Sequence, residues 1–193
     1  MWIFQRSNQH KKYLRKNIRG RPKGDTLFQM IWECFSGNKL GPIIFVDRTV
    51  NADKYIELLY QNLLSFLDAC IADGATNVIF QHDNTTPHMA KKTCDWLEIV
   101  LKEHKVGLMK WPPNSSDLNP IENLWAHLKL HLHRRFPDTE YLCGSLETIK
   151  CILRQRLMEV WSDIGEDVLN RLIDSMPHCM QTLLDTKGRY IDY

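Results

Sequence analysis

Residues 111–125 read WPPNSSDLNPIENLW, and the turn residues in this stretch predict where a helix begins. Three prolines, three asparagines and one aspartate occur within it. Asn119 is a favoured N-cap residue, Pro120 suits the first helical position, and Glu122 stands three positions after the cap. We therefore predict a helix over residues 120–135 that starts with a variant of the capping box.

A second turn-rich segment, QHDNTTPH at residues 81–88, lies upstream of this helix. It follows residues 75–80 (ATNVIF), which are predicted to form a buried strand, so Asp83 lies just beyond the strand's carboxyl end. Residues 106–111 (VGLMKW) are predicted to form the next strand, which leads toward Glu122. Open α/β sheets bind ligands at the carboxyl ends of their strands, so the two carboxylates are expected to converge at one sheet edge.

Each of these residues also has a purely structural interpretation. Asp83 is a typical turn residue, and Glu122 is a typical capping residue. His88, at the start of a predicted helix, is interpreted as a cap or surface residue. Three further histidines share one helix, and the first two have the i, i+4 spacing of a metal-binding pair without a third ligand: His127, His131 and His133.

The combination of two carboxylates favours a functional interpretation over the structural one. Mg²⁺ and Mn²⁺ prefer oxygen ligands and retain waters that substrate phosphates can replace. Paired metals of this kind activate a water or a 3′-hydroxyl and stabilise the leaving oxygen in phosphodiester chemistry. Asp83 and Glu122 are therefore predicted to be metal ligands and catalytic residues.

The rest of the chain predicts an α/β fold with a mixed sheet flanked by helices. Residues 27–35 and 42–46 have the pattern of two antiparallel strands around a Gly/Asn turn, and residues 2–4 (WIF) resemble part of another strand. Helical patterns occupy most of the remainder: from Asn51 to Cys70, over 88–104, and over 145–184 with breaks near Ser162–Asp163 and at Pro177.

The composition is that of an ordinary folded domain. Of 193 residues, 44% are hydrophobic and 25% are charged, which excludes the disordered and fibrous classes. No apolar run approaches the roughly 20 residues that cross a bilayer, and residues 1–24 are polar and basic rather than signal-like. We expect a soluble, intracellular protein without a membrane partner. The six cysteines form no C-x-x-C pair, so we expect reduced thiols, and a zinc site is poorly supported.

The net charge of +2 conceals a strongly basic N-terminal arm. Residues 1–24 contain eight bases and no acid, whereas the remainder contains 17 bases and 23 acids, a net charge of −6. A basic arm on an acidic body indicates a polyanionic partner, and a solvated basic loop is the alternative. The bases of the arm are Arg6, Lys11, Lys12, Arg15, Lys16, Arg19, Arg21 and Lys23.

Two motifs carry a resemblance to a known family. Residues 80–97 (FQHDNTTPHMAKKTCDWL) and residues 111–125 resemble the catalytic domain of mariner-superfamily cut-and-paste DNA transposases. The resemblance extends over at least residues 27–193 and implies a ribonuclease-H-like fold with an Asp-Asp-Glu or Asp-Asp-Asp metal triad. It makes Asp83 the second acidic ligand and Glu122 the third, in a two-metal site for Mg²⁺ or Mn²⁺.

On this resemblance the whole chain, residues 1–193, is expected to be a single catalytic domain. It divides into a basic arm with a partial strand (1–26), a ribonuclease-H-like core (27–135) and a helical tail (136–193).

The chain departs from the family pattern in two respects. The 38 residues between Asp83 and Glu122 exceed the commonest spacing by about one helical turn, which a longer helix would accommodate in phase. The family's first catalytic Asp belongs to a strand upstream of WIF, and neither Asp25 nor Asp47 fits that role. We therefore expect the central first strand and the N-terminal helix-turn-helix region to be missing, with inner strand edges left unpaired.

The resemblance also implies a partner and a location: DNA at transposon ends, bound by a homodimer in the nucleus. One hypothesis is metal-dependent cleavage and transfer of DNA strands; the alternative is an inactive or co-opted transposase-derived DNA-binding protein. Residues 19–23 (RGRPK) resemble an AT-hook, which places arginines in a narrow A·T minor groove, and general phosphate contact is the simpler interpretation. The predicted DNA-binding residues are Lys11, Lys12, Arg15, Lys16, Arg19, Arg21 and Lys23.

Overall fold

The first sheet has three antiparallel strands, β1 (Trp2–Ile3), β2 (Met30–Phe35) and β3 (Leu40–Val46), with β2 in the middle. The computed structural model describes residues 2–3, 29–47, 49–110 and 118–185. In the turn between β2 and β3, the N–H of Ser36 donates to the carbonyl of Lys39 at 2.8 Å. The predicted hairpin is therefore confirmed, and β3 begins two residues earlier than expected.

Strand β2 is buried on both faces, because helices pack on either side of the sheet. Met30, Trp32 and Cys34 face one core, and Ile31 faces the other. Strand alternation places Glu33 on the face of Ile31, where its side chain is 0% exposed. Neither carboxylate oxygen of Glu33 has a hydrogen-bond partner in the described part of the chain. Burial raises the pKa of Glu33 well above its ordinary value.

One core lies between this sheet and a continuous helical segment made of α1 (Ala52–Leu58), a π-helical stretch (Leu59–Leu63) and α2 (Leu64–Ala72). The side chain of Asn51 caps α1 by accepting a hydrogen bond from the N–H of Lys54 at 2.9 Å. The helix predicted from Asn51 is therefore confirmed. Its apolar side chains fill this core together with residues from later elements: Tyr55, Leu58, Leu59, Leu63, Leu67, Phe80, Leu97, Leu101 and Val106.

The second sheet has two short parallel strands, β4 (Ile79–Phe80) and β5 (Gly107–Leu108). Both lie within the segments predicted as strands, and their parallel pairing confirms that the chain leaves them in the same direction. They are much shorter than the predicted ranges 75–80 and 106–111. Asn77 has a φ of +54°, outside the extended region, so the backbone cannot continue a regular strand upstream of β4.

Within the described residues, no hydrogen-bonded ladder joins the two sheets. The prediction that residues 75–80 form a buried strand is right for Phe80 and wrong for residues 75–77 and for Ile79, which is 57% exposed. Segments of β2 and β4 instead line a cleft of about 420 Å³ between the sheets.

The helix predicted over residues 88–104 is divided in two, α3 (Thr86–Met89) and α4 (Lys91–Glu103). Ala90 separates them because its ψ of 134° lies outside the helical region. The side-chain hydroxyl of Thr93 donates to the carbonyl of Pro87 at 2.8 Å and so stabilises the corner. The prediction is therefore right for most of α4 and wrong at its start.

Three helices cover the opposite face of the first sheet: α5 (Pro120–Arg135), α6 (Leu146–Ser162) and α7 (Glu166–Asp185). Helix α5 has the predicted bounds. The indole N–H of Trp161 donates to the carbonyl of Gly41 at 2.9 Å and links α6 to β3. The second core is formed by apolar residues of β2 and these helices: Ile31, Ile121, Leu124, Trp125, Leu128, Leu157, Val160, Trp161, Ile164 and Leu169.

Of the two breaks predicted in the C-terminal helical region, one is confirmed and one is wrong. Helix α6 ends at Ser162, as expected, whereas α7 continues through Pro177. Proline removes one helical hydrogen bond and disfavours the preceding turn. Beyond Pro177, Cys179 is buried against Leu118 and Leu183, and this packing holds the last turns of the helix in place.

All six cysteines are free thiols, as predicted, and Cys34, Cys70 and Cys179 are buried. Burial raises the pKa of Cys34 to about 12, which makes this thiol unreactive. No helix in the described part of the chain combines the length and apolar character that crossing a bilayer requires.

Candidate metal centre

Asp83 lies three residues beyond the end of β4, on the segment that connects this strand to α3. The ladder between β4 and β5 orients that segment, because the N–H of Gly107 donates to Val78 and the N–H of Met109 donates to Phe80, both at 2.9 Å. The side chain of Asp83 is 29% exposed. A carboxylate therefore stands at the carboxyl end of a parallel strand with partial access to solvent, as predicted from the sequence.

One carboxylate oxygen of Asp83 is held by two donors. Oδ1 accepts a hydrogen bond from the N–H of Thr85 at 3.0 Å and lies 2.6 Å from Nδ1 of His88. Neither of these two contacts uses Oδ2. The turn interpretation of Asp83 is correct, because Oδ1 closes the turn to Thr85, but it occupies only half of the carboxylate. The side chain of Asp83 is partly open to solvent on the side that these two contacts leave.

His88 is fully buried (0% exposed), so its interpretation as a cap or surface residue is wrong. Its ring stacks on Tyr55 at 4.1 Å between centroids and lies 5.0 Å from the ring of His82. The hydroxyl of Tyr55 lies 3.1 Å from Nδ1 of His82. His82 from the β4–α3 connection, His88 from α3 and Tyr55 from α1 thus form a packed aromatic cluster behind Asp83.

The electrostatics of this cluster keep Asp83 ionised. Burial by itself raises the pKa of Asp83. The hydrogen bond and charge of His88, together with hydrogen bonds from the N–H and the side chain of Thr85, outweigh this effect, so the net pKa is lowered. Burial lowers the pKa of His82 to about 3, and the nearby His88 adds to this effect. Burial also raises the pKa of Tyr55 well above its ordinary value, with a smaller contribution from Asp83. At neutral pH the cluster therefore contains one carboxylate, a neutral His82 and a protonated phenol.

Glu122 is placed by the start of α5. The side chain of Asn119 accepts a hydrogen bond from the N–H of Ile121 at 3.3 Å, and its carbonyl accepts one from the N–H of Glu122 at 3.0 Å. The predicted N-cap is therefore confirmed, although the cap bond goes to Ile121, one position earlier than in a capping box. The Glu122 side chain is exposed at the positive end of the helix dipole, which favours a carboxylate.

The cleft between the two sheets connects the surroundings of the two carboxylates. Gln81, two residues before Asp83, and Pro120, two residues before Glu122, both line it. Helix α5 therefore begins beside the end of β4, as the predicted order of strands and helices requires. The loop at residues 111–117 lies outside the described residues.

The donor set fits a hard divalent cation, since both candidate ligands are carboxylate oxygens. Within the described residues, no cluster of three or more His, Cys, Asp or Glu side chains has the geometry of a metal site. The roles of Asp83 and Glu122 as ligands therefore remain predictions. The rings of His127 and His131 stack with their centroids 4.1 Å apart. Burial lowers the pKa of His127, and the neighbouring His131 lowers it further. His133 lies near the end of the same helix.

The residues that sequence reasoning missed are those behind Asp83. Tyr55 lies within the helix predicted from Asn51, and the sequence predicts no role at the site for either Tyr55 or His82. The signal for both histidines was the short polar segment HDNTTPH, which confines His82, Asp83 and His88 between a strand and a helix. The basic arm, residues 6–23, lies outside the described residues, so the predicted DNA contacts of the arm stay predictions. Asp25 also lies outside the described residues.

Comparison with known sequences identifies related proteins. A family model described as DDE superfamily endonuclease matches residues 14–143. The transposable element Tcb2 transposase of Caenorhabditis briggsae is 30% identical over 159 residues, which are 82% of this chain and 52% of the relative. The transposable element Tc3 transposase of Caenorhabditis elegans is 29% identical over 164 residues, which are 85% of this chain and 45% of the relative. The chain spans about half the length of these relatives.

Comparison with solved structures supports the same relationship at the level of the fold. The catalytic domain of Mos1 mariner transposase is similar with a TM-score of 0.67 and 21% identity, over 85% of this chain and 76% of that chain. The Mos1 paired-end complex with the left transposon end gives a TM-score of 0.69 and 22% identity, over 90% of this chain and 48% of that chain. Other structures of the Mos1 catalytic domain contain Raltegravir with Mg or with Mn. The predicted ribonuclease-H-like fold is therefore confirmed.

Proposed function

The chain belongs to the DDE superfamily of endonucleases, as a catalytic domain of the Tc1/mariner transposase type, and from this premise we propose that it cleaves and transfers DNA strands in a metal-dependent reaction. Because the chain spans about half the length of its relatives, this activity is proposed for the domain and not carried over from the whole proteins.

The observation that carries the proposal is the arrangement of Asp83. Its carboxylate is ionised, Oδ1 is held by Thr85 and His88, and Oδ2 is left at the end of a parallel strand. A carboxylate that served only the turn would not need a second, fully buried donor. Rigid presentation of one oxygen is what a catalytic metal site requires, since its geometry tolerates only small errors.

We propose Mg²⁺ or Mn²⁺ as the metal, with Asp83 and Glu122 among its ligands. When bound, such a cation activates a water or a 3′-hydroxyl and stabilises charge on the leaving oxygen of a phosphodiester. Asp83 and Glu122 hold it with oxygen atoms, which hard cations prefer. The N-terminus of α5 directs positive backbone dipoles toward the same region and assists in holding both Glu122 and an approaching phosphate.

We further propose DNA at transposon ends as the substrate, a homodimer as the active form, and the nucleus as the location. Support for the DNA comes from the Mos1 neighbours, which include a paired-end complex with a transposon end. The eight bases and no acids of residues 1–24 supply positive charge for contacts with the phosphate backbone.

The proposed activity is tested by incubating the purified protein with supercoiled plasmid DNA and measuring conversion to the nicked form. We expect nicking that requires Mn²⁺ or Mg²⁺ and stops when EDTA removes the metal. Asp83→Asn should remove it, because an amide is a poorer ligand for a hard cation than a carboxylate. Nicking that is independent of metal, or that survives Asp83→Asn, would contradict the proposal. A protein that binds DNA without any metal-dependent nicking would favour the DNA-binding alternative.

The contribution of the arm is tested through the salt dependence of DNA binding. Replacing Arg19 and Arg21 by glutamine should lower the affinity and reduce the slope of log K against log salt by up to about 2, since each phosphate contact contributes roughly 0.9. Fluorescence anisotropy with a labelled duplex at several salt concentrations measures both quantities.

The matched control replaces two bases outside the arm, Lys102 and Lys105, which lie near the end of α4. If this control reduces the slope as much as the arm variant does, or if the arm variant leaves the slope unchanged, residues 19–23 do not contact the phosphate backbone. A preference of the wild type for A·T-rich over G·C-rich duplexes, lost in the arm variant, would support the minor-groove interpretation.

A further inference from the structure

We propose that His88 is a positioning residue for Asp83: its Nδ1–H holds Oδ1 so that Oδ2 is presented to the metal. This inference rests on the proposed role of Asp83 as a ligand and deepens it, since it assigns a role to a buried side chain that does not itself contact metal or DNA.

The geometry of His88 fits this role. Its Nδ1 lies 2.6 Å from Oδ1 of Asp83 and 3.2 Å from the backbone carbonyl of the same residue. The ring is 0% exposed, so water does not compete for Nδ1. Thr85 donates to the same oxygen at 3.0 Å. Two donors on Oδ1, one from a ring and one from the backbone, restrict rotation of the carboxylate and leave Oδ2 in a defined direction.

The surroundings of the ring show which nitrogen carries a hydrogen toward Asp83. Nε2 of His88 is buried and has no hydrogen-bond partner within the described residues. A proton on Nε2 would be a buried donor without an acceptor, which is costly, whereas a lone pair there is tolerated better. Nδ1 therefore carries a hydrogen, because two acceptor atoms of Asp83 are within its reach.

The ring is itself held in place by neighbours on three elements. It stacks on Tyr55 of α1 at 4.1 Å and lies 5.0 Å from His82, next to β4. The hydroxyl of Tyr55 is 3.1 Å from Nδ1 of His82, within hydrogen-bonding distance. At the corner of α3 and α4, Thr93 bonds the carbonyl of Pro87 at 2.8 Å. The ring has little freedom to move away from Asp83.

The test separates the donor from the ring by two substitutions. His88→Phe keeps an aromatic ring against Tyr55 but removes the Nδ1–H. His88→Asn loses the ring but places an amide N–H near the position of Nδ1. Binding of Mn²⁺ to the purified chain is measured by the electron paramagnetic resonance signal of the free ion, and stability is measured by urea unfolding.

We expect His88→Phe to weaken Mn²⁺ binding by about 10- to 100-fold, as is typical when the partner of a metal ligand is removed. His88→Asn should retain affinity within a few fold of the wild type. The stabilities should follow the opposite order, because only phenylalanine keeps the stacking on Tyr55. A residue with a merely structural role would instead change both quantities together.

Two controls keep this inference distinguishable from the proposed function. His127→Phe removes the half-buried pair partner of His131 and accounts for Mn²⁺ bound by that pair. If Asp83→Asn leaves the affinity unchanged, the proposed role of Asp83 fails, and the role of His88 fails with it. If Asp83→Asn weakens binding but His88→Phe does not, or if His88→Asn weakens it equally, only the positioning role of His88 is overturned.

Discussion

Replacing Glu122 by glutamine should reduce metal-dependent cleavage of DNA about a thousandfold while leaving the protein folded. Removing a charged ligand from a catalytic metal forfeits several kcal/mol of transition-state stabilisation, and about 4 kcal/mol corresponds to three orders of magnitude in rate. The fold should be nearly unaffected, because the side chain of Glu122 is exposed and Asn119 caps the helix through Ile121. The loss of a negative charge at the helix start costs only about 0.3–1 kcal/mol.

The rate is measured under single-turnover conditions on a nicking substrate, and the stability by urea unfolding of the same preparations. Glu147→Gln is the matched control, since Glu147 is also an exposed acid in the first turn of a helix, α6. It should reproduce the small loss of stability without any loss of rate. If Glu122→Gln retains more than about a tenth of the wild-type rate, the loss of transition-state stabilisation is at most about 1.4 kcal/mol. Glu122 is then not a ligand.

Replacing Glu33 by methionine should stabilise the protein by about 2 kcal/mol at neutral pH, within the range by which unpaired buried polar groups destabilise proteins. Glu33 is 0% exposed on the middle strand of the first sheet, and neither carboxylate oxygen has a hydrogen-bond partner within the described residues. Methionine has a similar length, adapts its shape to the site and carries no charge. For a chain of this size, Tm should rise by roughly 6 °C.

Part of this gain should depend on pH. Burial raises the folded-state pKa of Glu33 well above the unfolded value of about 4.3. Below about pH 4.3 the carboxyl of Glu33 is neutral in both the folded and the unfolded state. As the pH rises above this value, the carboxyl ionises first in the unfolded state. The free energy of unfolding therefore falls until the pH reaches the folded-state pKa. Glu33→Gln removes the ionisation but leaves a buried amide, so its advantage over the wild type should be small at acidic pH and should grow toward neutrality.

Urea unfolding of the wild type, Glu33→Met and Glu33→Gln at several pH values separates the two contributions. Methionine should be favoured at every pH, because it also removes the unpaired polar atoms. Glu98→Gln, an exposed change on α4, is the control and should leave the pH dependence unchanged. If the stability of the glutamine variant parallels that of the wild type at every pH, the pKa of Glu33 is not raised in the folded state, and its assigned environment is wrong.

Much of the candidate site could be predicted because its signals are local. The start of α5 follows from Asn119 and Pro120, whose effects reach only the next few backbone groups, and the helix was found with the predicted bounds. The positions of Asp83 and Glu122 after neighbouring parallel strands follow from the order of strand and helix patterns. A resemblance in two motifs then supplied the ribonuclease-H-like fold and the chemistry that the positions alone left open.

The sequence by itself determined the order of the elements, the caps at Asn51 and Asn119, and the two carboxylates at the strand and helix ends. These depend on residues within a few positions of one another, where periodicity and capping are decisive. Only the tertiary structure decided that His88 is buried against Asp83, that Glu33 is buried without a partner, and that α7 continues through Pro177. Each of these depends on which surfaces meet across long separations in the chain, and packing at such contacts outweighs local propensity.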